Sequence, residues 1–221
     1  MTAEGLRRAG LRLAVPKGAL FADSVRLLRA AGIDPGRLGE AGRQLTVRAR
    51  RIEFVIAKPT DIPVYVAYGA VDAGIAGKDV LMEAGLDVVE VLDLGFGGCR
   101  FVVAEPEGAA ERVAEHYRHL GVIRVATKYP RVTEEHFAAA GVQVEIVKLH
   151  GNIEIAPLIG LADQVVDVTA TGTTLRENRL RVVEEVAVST ARFVANTASL
   201  RTRGEAMVEL ASALEAALPL E

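Results

Sequence analysis

Ala162-Asp163-Gln164-Val165-Val166-Asp167-Val168-Thr169-Ala170-Thr171-Gly172-Thr173-Thr174-Leu175 is the stretch that decides the fold. The apolar run from Ala162 to Val168 reads as a buried strand, and Leu175–Leu180 starts like a helix. Between them lies a turn rich in hydroxyls and containing one glycine. Strand, tight turn and helix in that order are the repeating unit of an α/β protein. The turn has the local design of an anion cradle, because the first N–H groups of a helix have no intrahelical partner and its dipole favours negative charge. Thr171, Thr173 and Thr174 add hydroxyl donors, and Gly172 admits a positive φ or a close approach. Asp167, near the strand end, is placed to hold hydroxyls or a metal ion beside a phosphate. The same residues also suit an ordinary βα turn and N-cap. The stretch has no Gly-Lys-Ser/Thr and no Gly-x-Gly-x-x-Gly, so neither common nucleotide fingerprint is present.

Outward from this unit the rhythm repeats. Leu11–Val15, Ile52–Ala57, Asp72–Ala76, Asp87–Leu92, Arg100–Ala104, Val122–Thr127, Val142–Leu149, Val182–Val188 and Arg192–Asn196 read as strands. Leu20–Ala31, Asp61–Tyr68, Lys78–Ala84, Ala109–Leu120, Thr133–Ala140 and Arg203–Leu218 read as helices. Asp61 is expected as an N-cap with Pro63 in the first turn. Ile153–Leu161 is expected as a short or kinked helix because Pro157 lies inside it. The alternation predicts an α/β fold with mostly parallel sheets. The glycine-rich link Gly95-Phe96-Gly97-Gly98 marks a domain joint. The expected division is 1–98 plus 185–221 for the first lobe and 99–184 for the second, with a central cleft for the ligand.

Composition narrows the functions. The 221 residues are 50% hydrophobic and 25% charged, so a packed core is expected. The net charge of −3, with 5% aromatic residues, argues against nucleic acid as a partner, which calls for a clustered basic surface or stacking aromatics. The one cysteine, Cys99, excludes an internal disulfide, fits a reducing cytoplasm and reads as a small buried hydrophobe. Leu11–Val15 is too short for a secretory core, and no apolar run approaches membrane-spanning length, so no membrane role is expected. The four histidines show no metal-ligand spacing; His116 and His119 read as a solvated helix face. No Ser/His/Asp or Cys/His arrangement points to a covalent intermediate.

Other strand-to-helix junctions carry charge. Lys17 follows Pro16 and precedes Gly18; Lys58, Thr60 and Asp61 surround Pro59; Lys78 and Asp79 follow Gly77; and Glu154 follows His150-Gly151-Asn152-Ile153. Ligands in open α/β sheets bind beyond the carboxyl ends of strands, so these turns are candidates to face one crevice. Read singly, Lys17 is equally an exposed turn residue, Asp61 and Asp79 are helix caps, and Glu154 is a favourable charge in a first helical turn.

Taken together and in order, several segments resemble the ATP phosphoribosyltransferase family. They are Val15–Leu20, Asp61–Val66, Asp72–Asp79, Leu94–Arg100, Ala126–Pro130, Gly151–Leu158 and Asp167–Asn178. The resemblance implies a type II, periplasmic-binding-protein-like fold of two lobes. It implies transfer of the phosphoribosyl group of 5-phosphoribosyl-1-pyrophosphate to N1 of the adenine of ATP, with loss of pyrophosphate, as the first step of histidine biosynthesis. The alternative is a non-catalytic binding protein of the same bilobal kind. The resemblance assigns Asp167, Thr169, Ala170, Thr171, Gly172, Thr173, Thr174 and Glu154 to the phosphoribosyl pyrophosphate. It assigns Lys17, Gly18, Leu20, Lys58 and Asp79 to ATP or pyrophosphate. Lys58 stands where arginine is the expected residue; lysine keeps the charge and loses the two-pronged donor. No nucleophile from the protein is implied, and Mg2+ would be carried by substrate phosphates rather than a protein cage. Only residues 204–221 follow Arg203, enough for one helix, so the chain resembles the family's short form. That form implies a homodimer within a hetero-oligomer containing a regulatory subunit similar to histidyl-tRNA synthetase.

Overall fold

The computed structural model describes residues 10–40, 44–50 and 52–219, and these form two compact units. One unit runs through Gly98 and resumes at Thr190; the other spans Cys99–Ser189. The first contains β1 (Leu11–Pro16), α1 (Phe21–Ala30), β2 (Thr46–Ala49), β3 (Ile52–Ala57), α2 (Ile62–Ala67), β4 (Ala73–Gly77), α3 (Lys78–Ala84) and β5 (Val89–Asp93). The second contains β6 (Cys99–Pro106), α4 (Ala110–Leu120), β7 (Ile123–Thr127), α5 (Pro130–Ala139), β8 (Val144–Lys148), β9 (Gln164–Thr169), α6 (Thr173–Glu177) and β10 (Leu180–Ser189). The chain then returns to the first unit through β11 (Ala191–Ala195), α7 (Thr197–Thr202) and α8 (Gly204–Ala216).

The first unit has a six-stranded sheet in the order β2-β3-β1-β4-β11-β5, and the second a five-stranded sheet in the order β10-β6-β9-β7-β8. Both sheets are mixed rather than mostly parallel. β1 is parallel to β3 and β4, and β7 is parallel to β8 and β9. β5, β6, β10 and β11, which carry the chain out of one unit and back, pair antiparallel. Helical crossovers enforce parallel pairing, and these four strands are not joined to their neighbours by such crossovers. The return falls between Ser189 and Thr190, whereas the sequence expectation placed it at 184/185. The difference has a physical cause: β10 stays paired to β6 up to Ser189–Cys99, past two register shifts.

Strand alternation builds the core of the first unit. Leu11, Leu13, Val15, Phe54, Ile56, Ile75 and Phe193 face one layer. Ala14, Ala57, Ala76 and Val194, one residue out of step on the same strands, face the other, with Ile62 and Val66 of α2. Met207, Leu210 and Leu214 of α8 are buried in the first layer, so the closing helix packs on its own unit. In the second unit Val102, Ala104, Ala126, Val165, Ile153 and Leu175 cluster.

Other departures from the sequence reading are local. β2, a four-residue edge strand antiparallel to β3, was too short to register as a pattern. Residues 153–161 form a 3-10 turn at Ile153–Ile155 followed by further turns, because Pro157 lacks the N–H that a helix needs. Asp61 occupies an N-cap position without a side-chain cap bond. Cys99 is half-buried rather than buried. His116 is not simply solvated: its Nδ1 lies 2.9 Å from Asp163 Oδ1. No helix among the described residues is long and apolar enough to cross a membrane.

Gly74 on β4 marks the tightest helix-to-sheet contact. A Cβ there would lie 2.7 Å from Ile62 Cγ2, 3.2 Å from Val66 Cγ2 and 3.3 Å from Ala14 Cβ. Gly74→Ala is therefore expected to overpack the layer at a cost of about 1–3 kcal/mol. For a chain of this size, each kcal/mol lowers the thermal midpoint by about 2–4 °C. An unchanged midpoint in calorimetry would mean that α2 shifts freely.

Candidate active site

Parallel pairing places the loops. β8, β7 and β9 are adjacent and parallel, so their carboxyl ends leave the sheet along one edge. Lys128 follows β7, the segment containing Glu154 follows β8, and the Thr169–Thr174 loop follows β9. In the first unit β3, β1 and β4 are likewise adjacent and parallel, and Lys58, Lys17 and Asp79 follow their carboxyl ends.

Asp167 lies two residues before the end of β9, opposite Val102, and is buried. Its Oδ1 accepts the N–H of Val168 at 2.9 Å, and its Oδ2 lies 3.8 Å from Lys128 Nζ. Burial pushes the carboxyl above its ordinary value of 3.8; the nearby Lys128 ammonium and the Val168 N–H oppose this, and the charge on Glu154 adds to it. Lys128 is the charged neighbour of Asp167 that residue-level reading left unassigned. Its signal was available, since like Lys17 and Lys58 it directly follows a parallel strand. The turn that carries it is well built: Thr127 Oγ1 accepts from Tyr129 N at 2.9 Å, and Thr133 Oγ1 donates to the Tyr129 carbonyl at 2.7 Å.

The loop after β9 is held from within. Gly172 N donates to Thr169 Oγ1 at 2.8 Å, and Gly172 adopts φ 71°, the left-handed conformation that glycine takes without steric cost. Thr171 and Thr173 hydroxyls lie 2.9 Å apart. Arg176 folds back over them, donating from Nη1 to the Thr171 carbonyl at 3.0 Å and from Nη2 to Thr173 Oγ1 at 3.1 Å. Ala170, Thr171, Thr173 and Thr174 are exposed, while Leu175 is buried and anchors the far side. α6 starts two residues before the expected Leu175 and ends early, because Leu180 is already paired with Pro106 in β10. Glu154 is half-buried in its 3-10 turn, after Asn152 at φ 47°.

In the first unit Lys17 and Lys58 are exposed, and the Lys17 N–H extends the ladder by donating to the Ala57 carbonyl at 2.8 Å. Gly18 is exposed as well. Leu20 turns inward against the core beside Gly97, and its carbonyl accepts from Ser24 N at 3.0 Å and Ser24 Oγ at 2.6 Å. Asp79, in the first turn of α3, lies over Gly77, where an added Cβ would collide with its carboxylate. Among the described residues, no group of three or more His, Cys, Asp or Glu side chains is gathered as a metal site.

Two mixed α/β units, one with an exposed hydroxyl loop and a buried carboxylate beside a lysine, offer donors and acceptors chemically suited to a hydroxylated anion. Comparison with known proteins sharpens this. The profile of the family described as "HisG: ATP phosphoribosyltransferase" matches residues 58–216. The ATP phosphoribosyltransferase of Rubrobacter xylanophilus is 52% identical over 194 residues, covering 88% of this chain and 90% of its own. That of Moorella thermoacetica is 49% identical over 211 residues, covering 94% and 92%. Among solved structures, an ATP phosphoribosyl transferase (HisG:HisZ) complex from Thermotoga maritima matches with a TM-score of 0.82 at 32% identity, covering 94% of this chain and 98% of that one. The alkanesulfonate-binding protein SsuA from Xanthomonas axonopodis pv. citri, bound to MOPS, matches with a TM-score of 0.55 at 15% identity and shares the fold alone.

The chain belongs to the ATP phosphoribosyltransferase family. It is a transferase with the type II periplasmic-binding-protein-like fold, and it joins the phosphoribosyl group of 5-phosphoribosyl-1-pyrophosphate to N1 of the adenine of ATP as the first step of histidine biosynthesis. The reading as a non-catalytic binding protein is the less supported one.

Because burial raises the Asp167 pKa, the sign of its effect on stability follows. Its protonated form stabilises the fold below the ordinary aspartate range, and that contribution is lost as pH rises through the raised value. At pH 7 the ionised carboxylate is a net cost. Asp167→Asn is expected to raise the thermal midpoint at pH 7, with the gain shrinking as pH falls toward 4. A midpoint at pH 7 equal to or below that of the parent would contradict this.

Proposed function

We propose that the second unit grips the phosphoribosyl group and that its edge residues divide the work. Thr171, Thr173, Thr174 and the backbone of Ala170 hold the 5-phosphate, with Thr169 and Gly172 shaping the turn. Asp167 accepts hydrogen bonds from the ribose hydroxyls, and Glu154 lies at the same edge. The observation that carries this reading is the common edge of β8, β7 and β9, which brings the hydroxyl loop, Asp167, Lys128 and Glu154 to one place.

Lys17, Gly18, Leu20, Lys58 and Asp79 of the first unit serve ATP or pyrophosphate. The reaction forms a bond from adenine N1 to the anomeric carbon and breaks the bond from that carbon to the pyrophosphate oxygen, which keeps the electron pair. The nucleophile belongs to ATP, so the protein supplies orientation and charge stabilisation. Lysine ammonium groups favour the departing anion, and the Asp167 carboxylate favours positive charge developing on the sugar.

Mg2+ would be carried by the substrates' phosphates rather than by a protein cage, and would supply neutralisation of charge on the leaving group. The oxygen donors Asp167 and Glu154, which interact electrostatically, suit a hard cation that arrives with most of its ligands. The enzyme works in the cytoplasm as a homodimer within a hetero-oligomer, with a regulatory subunit similar to histidyl-tRNA synthetase. The similarity to a structure described as a HisG:HisZ complex supports that partner.

The direct test is pyrophosphate release from ATP, phosphoribosyl pyrophosphate and Mg2+, with and without the regulatory subunit and histidine. Turnover is expected with the subunit, and its absence under both conditions would overturn the proposal. Thr171→Ala with Thr174→Ala is expected to raise KM for phosphoribosyl pyrophosphate roughly tenfold or more, since a hydrogen bond to a charged group contributes about 1.5–3 kcal/mol. Lys58→Arg is expected to keep or improve activity, because arginine retains the charge and adds a second prong. Severe loss would make the role of Lys58 steric.

A further inference from the structure

Arg176 lies outside the set of residues assigned above, yet its guanidinium bonds directly to the hydroxyl loop. Its guanidinium is committed to the loop itself, through Nη1 to the Thr171 carbonyl and Nη2 to Thr173 Oγ1. A guanidinium donates and never accepts. Thr173 Oγ1 therefore accepts from Arg176. Accepting from a cation polarises that hydroxyl and makes it a better donor. Its neighbour at 2.9 Å is Thr171 Oγ1. Thr171 Oγ1 also accepts from the Thr173 N–H at 3.4 Å, and the contact between the two hydroxyls admits either atom as donor. Donation by Thr173 across it leaves the Thr171 hydrogen to point away from the loop.

We propose that Arg176 is a positioning residue that sets the direction of a hydrogen-bond relay, Arg176 to Thr173 to Thr171, so that Thr171 presents its O–H outward to the phosphate. The proposal rests on the assignment of this loop to the 5-phosphate and goes further by ordering its donors. This refines the assignment at one position: of the Thr171–Thr173 pair, Thr171 is the one whose hydroxyl touches the ligand, beside Thr174. Thr173 and Arg176 act through Thr171, and the Arg176 bond to the Thr171 carbonyl holds the backbone in register. Gly172 leaves room for this, since a Cβ there would lie 3.3 Å from Arg176 Nη1.

The test is a mutant cycle read by binding, so that it does not depend on turnover. Ribose 5-phosphate is titrated calorimetrically into the full-length chain and into Thr171→Ala, Thr171→Ser, Thr173→Val, Arg176→Met and the double variant Thr173→Val/Arg176→Met, with thermal midpoints as fold controls. Thr171→Ala is expected to weaken binding about tenfold or more, and Thr171→Ser to recover most of that loss. Thr173→Val and Arg176→Met are each expected to cost less than Thr171→Ala. Together they are expected to cost no more than either alone, because they interrupt one chain. In steady-state assays KM for phosphoribosyl pyrophosphate rises while KM for ATP stays level. Additive losses, or a Thr173→Val effect larger than that of Thr171→Ala, would overturn the relay and leave the phosphate loop standing. Failure of the parent chain to bind ribose 5-phosphate would overturn both.

Discussion

Parallel pairing is the constraint on which the site depends. Once β1 lies between β3 and β4, and β7 between β8 and β9, the loops after these strands have no choice of side. Each strand pair is closed by a crossover, which returns the chain to the same starting edge. The carboxyl ends therefore share one edge in each unit, and the residues that follow become neighbours. Lys17 and Lys58 are 41 positions apart in the chain, yet they follow strands in register at Pro16 and Ala57. The antiparallel strands β5, β6, β10 and β11 do the other task, carrying the chain from one unit to the next and back.

The buried carboxylate of Asp167 shows what such a site costs. A charge removed from water is unfavourable unless it is paired and hydrogen-bonded. Here the pairing is incomplete: one backbone N–H, and one lysine at 3.8 Å. The net effect is a carboxyl that favours its proton more than an exposed aspartate does. By contrast, Glu105 is also buried but receives Gln164 and two contacts from Arg181, a fully partnered arrangement. Under the proposed assignment, substrate hydroxyls would complete the Asp167 shell.

Much of this was legible in the chain. Strand β9 and the loop after it showed as an apolar run followed by hydroxyls and glycine, and α3 appeared with its bounds intact at Lys78–Ala84. Local chemistry was legible because apolar periodicity, proline and glycine act over a few residues. Several features were not. β2 is too short to show alternation, and the return crossing at Ser189 depends on a ladder with β6 some eighty residues earlier. The inward turn of Leu20, and the bond from His116 to Asp163, come from packing between elements distant in sequence.

The sequence by itself determined the α/β class, the turn chemistry after each strand, the charges available there and the family to which the chain belongs. These follow from short-range patterns and from residue identities in order. Only the tertiary structure decided that the sheets are mixed, that Lys128 lies beside Asp167, that burial raises that carboxyl, and that Arg176 folds onto the threonine hydroxyls. These depend on strand order and on loss of water around particular atoms, which no local stretch of residues specifies.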